Sequence, residues 1–232
     1  MADKKIPVTE DIGAQLSELF KDSSASAGEI GEFMGKFRML MTYYRCAIKE
    51  VVTKFEVLDE EFSLQYDRDP ISSIQSRLKS VNSIFEKLKR RGFPVTIENI
   101  ENQLADIAGI RVICPFLEDV YYLEKALLAQ DDIQLIERKN YIENPKGNGY
   151  RSLHLIIAVP IFLSKEKRIM KVEVQIRTIA MDSWASLEHQ LRYKKDFMFT
   201  KEMEDKLKYC ADISNDLDCT MDALRRQLLA EE

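Results

Sequence analysis

Histidine and cysteine are scarce in this chain, with two of the first and four of the second among 232 residues. Cys46, Cys114, Cys210 and Cys219 form no Cys-x-x-Cys pair and stand at no ligand spacing from His154 or His189, which argues against both a zinc site and a disulfide framework. Reduced thiols in a cytoplasmic protein is the reading that follows. No segment approaches the roughly 18 consecutive apolar residues of a membrane span, and the start Met-Ala-Asp-Lys-Lys-Ile-Pro lacks the apolar core of a signal peptide. Basic charge is not in excess either. A net charge of −5 argues against nonspecific nucleic-acid binding by the whole surface, so neither nucleic acid nor a membrane is an expected partner.

What remains is an ordinary globular composition, 45% hydrophobic and 31% charged, long enough for one substantial core. The acidic average conceals a local reversal. Between Gln75 and Arg91 stand Arg77, Lys79, Lys87, Lys89, Arg90 and Arg91 against the single acid Glu86. Taken as one helix from Ile71 to Arg91, at about 100° per residue, the segment gathers Ile71, Ile74, Leu78, Val81, Phe85 and Leu88 on one side. Lys79, Ser83, Lys87 and Arg90 form a stripe roughly opposite, with Arg77 between the faces. Cationic faces usually just solvate a core helix, but a face built for solubility would intersperse acids, and this stripe has none.

Along the rest of the chain, a short helix from Glu10 to Lys21 and a flexible Ser/Ala/Gly linker from Asp22 precede a helical pattern from Ile30 to about Tyr66, interrupted near Asp59. A short helix at Glu98–Leu104 leads into alternating α and β patterns. Strands are expected at Gly109–Phe116, Ile133–Tyr141, Ser152–Pro160 and Arg168–Thr178, with helices at Asp119–Gln130 and Ala180–Tyr193. In the tail from Lys201 to Leu229, Leu207, Ile213, Leu217, Met221, Leu224 and Leu228 are spaced for packing. The order implies an α/β (α+β) fold, a central mixed β-sheet of about five strands surrounded by helices.

The loop Asn144-Pro-Lys-Gly-Asn-Gly-Tyr150-Arg-Ser-Leu-His154 holds two of the eight glycines and one of the two histidines. Its turn dipeptides suit a simple hairpin connection. Yet Gly147 and Gly149 also allow close approach to a ligand, Lys146 and Arg151 donate to anions, and Tyr150 offers a ring on which a base can stack. In the run Val172–Arg177, Glu173, Gln175 and Arg177 alternate with Val172, Val174 and Ile176, and so share one face of a strand. Glu173 between valines is costly to bury unpaired. Asp106, just before an apolar strand, is by itself most often a cap or turn residue. Two acids beside a cationic phosphate site suit Mg²⁺, which prefers carboxylates plus substrate phosphates.

Four ordered motifs carry a family resemblance: Asp106-Ile-Ala-Gly-Ile-Arg111-Val, Gly149-Tyr-Arg-Ser-Leu-His154, Glu173-Val-Gln-Ile-Arg-Thr178 and Trp184-Ala-Ser-Leu-Glu-His189. With the preceding helix, over residues 70–195, they resemble the synthetase domain of the RelA/SpoT superfamily, and most closely its stand-alone members, the small alarmone synthetases. The resemblance implies a nucleotidyltransferase-like synthetase fold and transfer of a pyrophosphoryl group from ATP to the 3′-hydroxyl of GDP or GTP, yielding ppGpp or pppGpp and AMP. It further implies that Asp106 and Glu173 hold Mg²⁺, with Glu173 as the proton acceptor. Lys79, Ser83, Lys87 and Arg90 are expected on the ATP phosphates, and Arg77 and Arg111 on either side of adenine. Guanine is expected on Tyr150, with Lys146 and Lys139 at the acceptor phosphates and His154, Gln175 and Asp182 completing that pocket. Trp184 reads as core, and His189 as structural at least as readily as functional. The expected organisation is a flexible segment at 1–30, a synthetase domain at 31–195 and a helical extension at 196–232 that assembles a homotetramer. A toxin-type relative acting on adenine nucleotides or tRNA, a nucleotidyltransferase that releases pyrophosphate, and a non-catalytic nucleotide sensor are the alternatives.

Overall fold

The computed structural model describes residues 26–66, 68–193 and 199–230. The expected helix at Glu10–Lys21 and linker residues 22–25 lie outside them, while Ala27 and Gly28 of the expected linker belong to the first helix. In chain order the elements are α1 (Ala27–Tyr66), β1 (Ser73–Leu78), α2 (Val81–Arg90), α3 (Ile97–Gln103), β2 (Ala108–Cys114), α4 (Leu117–Leu128), β3 (Gln134–Asn140), β4 (Leu153–Phe162), β5 (Lys167–Thr178), α5 (Ile179–Tyr193) and α6 (Lys201–Ala230). The five strands form one sheet in the order β1-β2-β5-β4-β3, with β2 and β5 parallel and every other pair antiparallel. This is the mixed sheet expected from the sequence.

The two faces of the sheet differ in chemistry. Ile110, Val112, Val172, Val174, Ile176, Leu155, Ile157 and Val159 are buried on the back, where α1 crosses four strands with Phe37, Tyr44, Ile48, Val51 and Phe55 turned inward. Those α1 residues recur at helical spacing, which makes one apolar stripe. The helix is not interrupted at Asp59. Its carboxylate instead accepts the N–H of Ile71 at 3.1 Å, so the acid anchors the lead into β1 while the helix continues past it.

One expected element is replaced by two. Residues 71–91 do not form a single helix: Ser73–Leu78 pair with β2 as an edge strand, and α2 starts afresh after Ser80. The period-two alternation of Ile74, Ser76 and Leu78 against Gln75 and Arg77 fits a strand as well as a helix over so few residues. Ser80 decides the boundary, because its side chain accepts the N–H of Ser83 at 3.3 Å and caps a new helix. Gly92, at φ 76°, then closes α2 as expected.

The last helix folds back on the domain with its apolar stripe turned outward. Its inward residues are Ala211, Asp218 and Asp222, while Ile213, Leu217, Met221, Leu224 and Leu228 are exposed. Thr178 donates to Asp218 at 2.6 Å, Arg225 approaches Asp119 at 3.4 Å, and Trp184, core as expected, donates from Nε1 to the Leu207 carbonyl at 2.9 Å. The apolar spacing read in the tail is real, but most of it stays exposed among the described residues.

Candidate active site

The strand register gathers the polar residues on the open face. One row across the sheet runs Gln75, Arg111, Gln175, His154, Lys139, and the next runs Arg77, Gly109, Glu173, Ile156. Gly109 stands between Arg77 and Glu173, and a Cβ there would lie 3.5 Å from Arg77 Cγ, so the arginine lies across the glycine. A cleft of about 200 Å³ opens at this point, lined by Arg77, Gly109, Arg111, Glu173 and Gln175 among others. The missing side chain makes the hollow.

On one side of the cleft stand Asp106 and the cations around α2. Lys79 Nζ lies 3.0 Å and Lys87 Nζ 2.6 Å from the same oxygen, Asp106 Oδ2. Burial alone would raise the Asp106 carboxyl, but the two ammonium groups outweigh it and hold the group below the usual carboxylate range. The other oxygen, Oδ1, is buried and has no hydrogen-bond partner among the described residues. Ser83 and Lys87 lie one turn apart on α2, and Arg90 is exposed in its last turn. The shift from helix to strand moves Arg77 onto β1 and leaves Lys79 in the connection, so the expected cationic stripe survives on α2 only for Ser83, Lys87 and Arg90.

Glu173 sits mid-strand on β5. Gln175 Nε2 donates to its Oε2 at 3.1 Å, and His154 Nδ1 lies 3.7 Å from Oε1. Burial pushes this carboxyl up, but the His154 contact and the Gln175 amide outweigh it, and the nearby Asp106 charge opposes them only in part. Glu173 is thus held ionised. Among the described residues no three metal-binding side chains cluster. The donor set does fit a hard divalent cation that takes its remaining ligands from a substrate: two carboxylates close enough to feel each other, one with a buried oxygen to spare.

On the other side lies an aromatic pocket. Tyr150 and His154 meet edge to face, with Tyr150 OH 2.8 Å from His154 Nε2, and Tyr141 packs edge-on against both rings. Lys146 Nζ stands 4.7 Å from the ring centroids of both tyrosines. Lys139 lies beside His154 in the register but pairs with Glu137 at 2.9 Å. The loop that carries Tyr150 connects the antiparallel strands β3 and β4, as the hairpin reading expects. Asp182, in the first turn of α5, accepts from Arg177 at 3.1 Å and lies 3.2 Å from Arg111.

Two residues stand out: Gly149, expected to allow a ligand's close approach but facing α6 instead, and Arg177, which had no expected role. Gly149, at φ 91°, rests against α6, where a Cβ would approach Ala211 Cβ to 2.6 Å. Arg177 is buried and bonded to Tyr150, Gln175, Asp182 and Ser152. Its alternation with Glu173 and Gln175 put it on the polar face, but nothing local to the sequence signalled its burial.

A mixed sheet with paired carboxylates between a cation-rich helix and an aromatic loop defines a nucleotide-transfer site, and the model of the region found in RelA/SpoT proteins matches residues 76–198. The chain belongs to the RelA/SpoT family. It is 41% identical over 185 residues to the GTP pyrophosphokinase YwaC of Bacillus subtilis (strain 168), covering 80% of this chain and 88% of that one. It is 34% identical over 186 residues to YjbM, a GTP pyrophosphokinase of the same strain, covering 80% and 86%. The crystal structure of small alarmone synthetase 2 from Bacillus subtilis is similar at a TM-score of 0.75 and 39% identity, over 82% of this chain and 98% of that one. That of small alarmone synthetase 1, bound to its product pppGpp, gives 0.74 and 31%, over 82% and 97%.

Proposed function

We propose that this chain is a GTP/GDP pyrophosphokinase that moves the pyrophosphoryl group of ATP onto the 3′-hydroxyl of GDP or GTP, giving ppGpp or pppGpp and AMP. The observation that carries this reading is the position of Asp106 and Glu173 between two different anion-and-base sites, one built on α2 and β1 and the other on the Tyr150 loop. Transfer between two nucleotides needs two such sites, and phosphoryl transfer asks for positioning and charge neutralisation more than covalent chemistry.

Lys79, Ser83, Lys87 and Arg90 receive the donor's phosphates, and Arg77 and Arg111 flank its adenine. Guanine stacks on Tyr150, with Gln175, His154 and Asp182 around it. Lys146, together with Lys139 once released from Glu137, meets the acceptor's phosphates. Asp106 and Glu173 hold Mg²⁺, which when bound neutralises charge on the transferred group. Glu173, held ionised, accepts the proton of the 3′-hydroxyl.

The chain works in the cytoplasm as a homotetramer. No helix among the described residues is long and apolar enough to cross a membrane. The outward apolar stripe of α6, continued by exposed Leu187 and Leu191 of α5, supports residues 196–232 as an assembly segment.

The test is product identification from ATP, GDP and Mg²⁺. AMP and a 3′-pyrophosphorylated guanosine nucleotide are expected. Released pyrophosphate beside a nucleotide-extended product would replace this reading with a nucleotidyltransferase, and a pyrophosphorylated adenine nucleotide or tRNA would replace it with a toxin-type activity.

A further inference from the structure

Arg177 is only 4% exposed, an unusual place for a guanidinium. Its Nη2 donates to Tyr150 OH at 2.5 Å and to Gln175 Oε1 at 2.8 Å, its Nη1 to Asp182 Oδ1 at 3.1 Å, and its Nε to Ser152 Oγ at 3.4 Å. Four bonds against five N–H groups leave it little to offer a ligand. Its partners come from three separate elements: the loop, β5 itself and the first turn of α5. The guanidinium carbon also sits 5.1 Å from the Tyr150 ring centroid, so it backs the ring as well as tethering its hydroxyl.

From this geometry we infer that Arg177 is a positioning residue for the acceptor pocket, fixing the Tyr150 ring, the Gln175 amide and the Asp182 carboxylate relative to one another. The inference rests on the acceptor reading of the Tyr150 loop given above. Tyr150 is carried on an irregular connection, whereas Arg177 belongs to a central strand bonded on both sides. The rigid element thus sets the orientation of the loop residue. A planar fork can bridge three elements at once, and a lysine's single ammonium cannot. Asp182 also meets Arg111, so it keeps one cationic partner when Arg177 is replaced.

The experiment is steady-state kinetics on the full chain with each substrate varied in turn, for Arg177→Lys, Arg177→Gln, Tyr150→Phe and Tyr150→Ala. Arg177→Lys and Arg177→Gln are expected to raise the acceptor KM roughly 10- to 100-fold, the scale on which misplacing a positioned group by about an ångström acts. The ATP KM and the kcat at saturating acceptor should stay near parental values. Tyr150→Phe, which removes the hydroxyl that Arg177 holds, is expected to raise the acceptor KM about 5-fold. In that background Arg177→Lys should add less than it costs in the parent. Equal losses for both substrates, a fall in kcat alone, or an unchanged acceptor KM in Tyr150→Phe would overturn the inference. Tyr150 OH also meets His154 Nε2 at 2.8 Å, so the Phe variant is read together with Arg177→Lys in its background. That pair decides even if Arg177→Gln does not fold. If Tyr150→Ala leaves the acceptor KM unchanged, the acceptor reading itself fails. If Tyr150→Ala raises it and neither Arg177 variant does, only the role of Arg177 fails.

Discussion

Lys87 Nζ lies 2.6 Å from Asp106 Oδ2, so a cation assigned to the donor's phosphates rests on a carboxylate assigned to the metal. Donor binding as proposed would exchange one anion for another around the same ammonium group. Lys87→Met should raise the KM for ATP by roughly 10- to 150-fold, taking about 1.5–3 kcal/mol for a hydrogen bond to a charged group and 1.4 kcal/mol per tenfold. The acceptor KM should change far less. Comparable losses for both nucleotides in steady-state kinetics would remove Lys87 from the donor site.

Glu173→Gln keeps the shape of the side chain and removes its charge. Turnover should fall by about 10²-fold or more, the usual cost of losing one positioned acid–base group, while circular dichroism and thermal unfolding stay close to the parent. A folded variant with parental turnover would end the assignment of Glu173.

For Tyr150 the expected signature is a split between substrates. Stacking contributes on the order of 1–3 kcal/mol per base, so Tyr150→Ala should raise the acceptor KM roughly 5- to 150-fold and leave the ATP KM nearly unchanged. No acceptor effect would mean that the ring only shapes the loop.

Gly149→Ala should also raise the acceptor KM, because the added Cβ would meet Ala211 Cβ at 2.6 Å and the residue's φ of 91° disfavours any side chain. Adding Ala211→Gly should restore part of the loss by removing the clash, while the backbone strain of about 1 kcal/mol remains. A double variant no better than Gly149→Ala would show that the contact with α6 is immaterial.

The sheet and most of its strands were legible because alternation and apolar runs extend over enough residues to tell a period of two from one of 3.6. Residues 71–91 were not, since β1 and α2 present compatible apolar spacings across a short span and the boundary rests on Ser80 alone. For the carboxylates the family motifs identified both acids. That Lys79 and Lys87 converge on one oxygen of Asp106 depends on β2 and α2 meeting in three dimensions, which no local pattern encodes. In α6 the apolar period was legible, but the spacing alone did not say which way the stripe faces. Asp218 and Asp222 face inward because Thr178 and the start of α4 supply donors there.

Burial pushes the Asp218 carboxyl up to about 6, the Thr178 hydroxyl resisting and the neighbouring Asp222 charge adding to the rise. An acid whose folded pKa exceeds its unfolded value contributes stability below the unfolded value and loses it as pH rises through the folded one. Asp218→Asn keeps an acceptor for Thr178 and abolishes the charge. Its melting temperature should exceed the parent's above about pH 6, and the two should converge as pH falls toward 4, near the ordinary carboxyl value. Parallel melting curves across that range would contradict the raised value.

The contact between Gly149 and Ala211 also orders the substitutions this protein can accept. Glycine has nothing to surrender, whereas Ala211 has one methyl group. Any change that enlarges the loop position must therefore be preceded by a loss on the helix, and the reverse sequence of events passes through a displaced Tyr150 loop. Gly149 of the loop motif and Ala211 of α6 thus share a single allowance of volume.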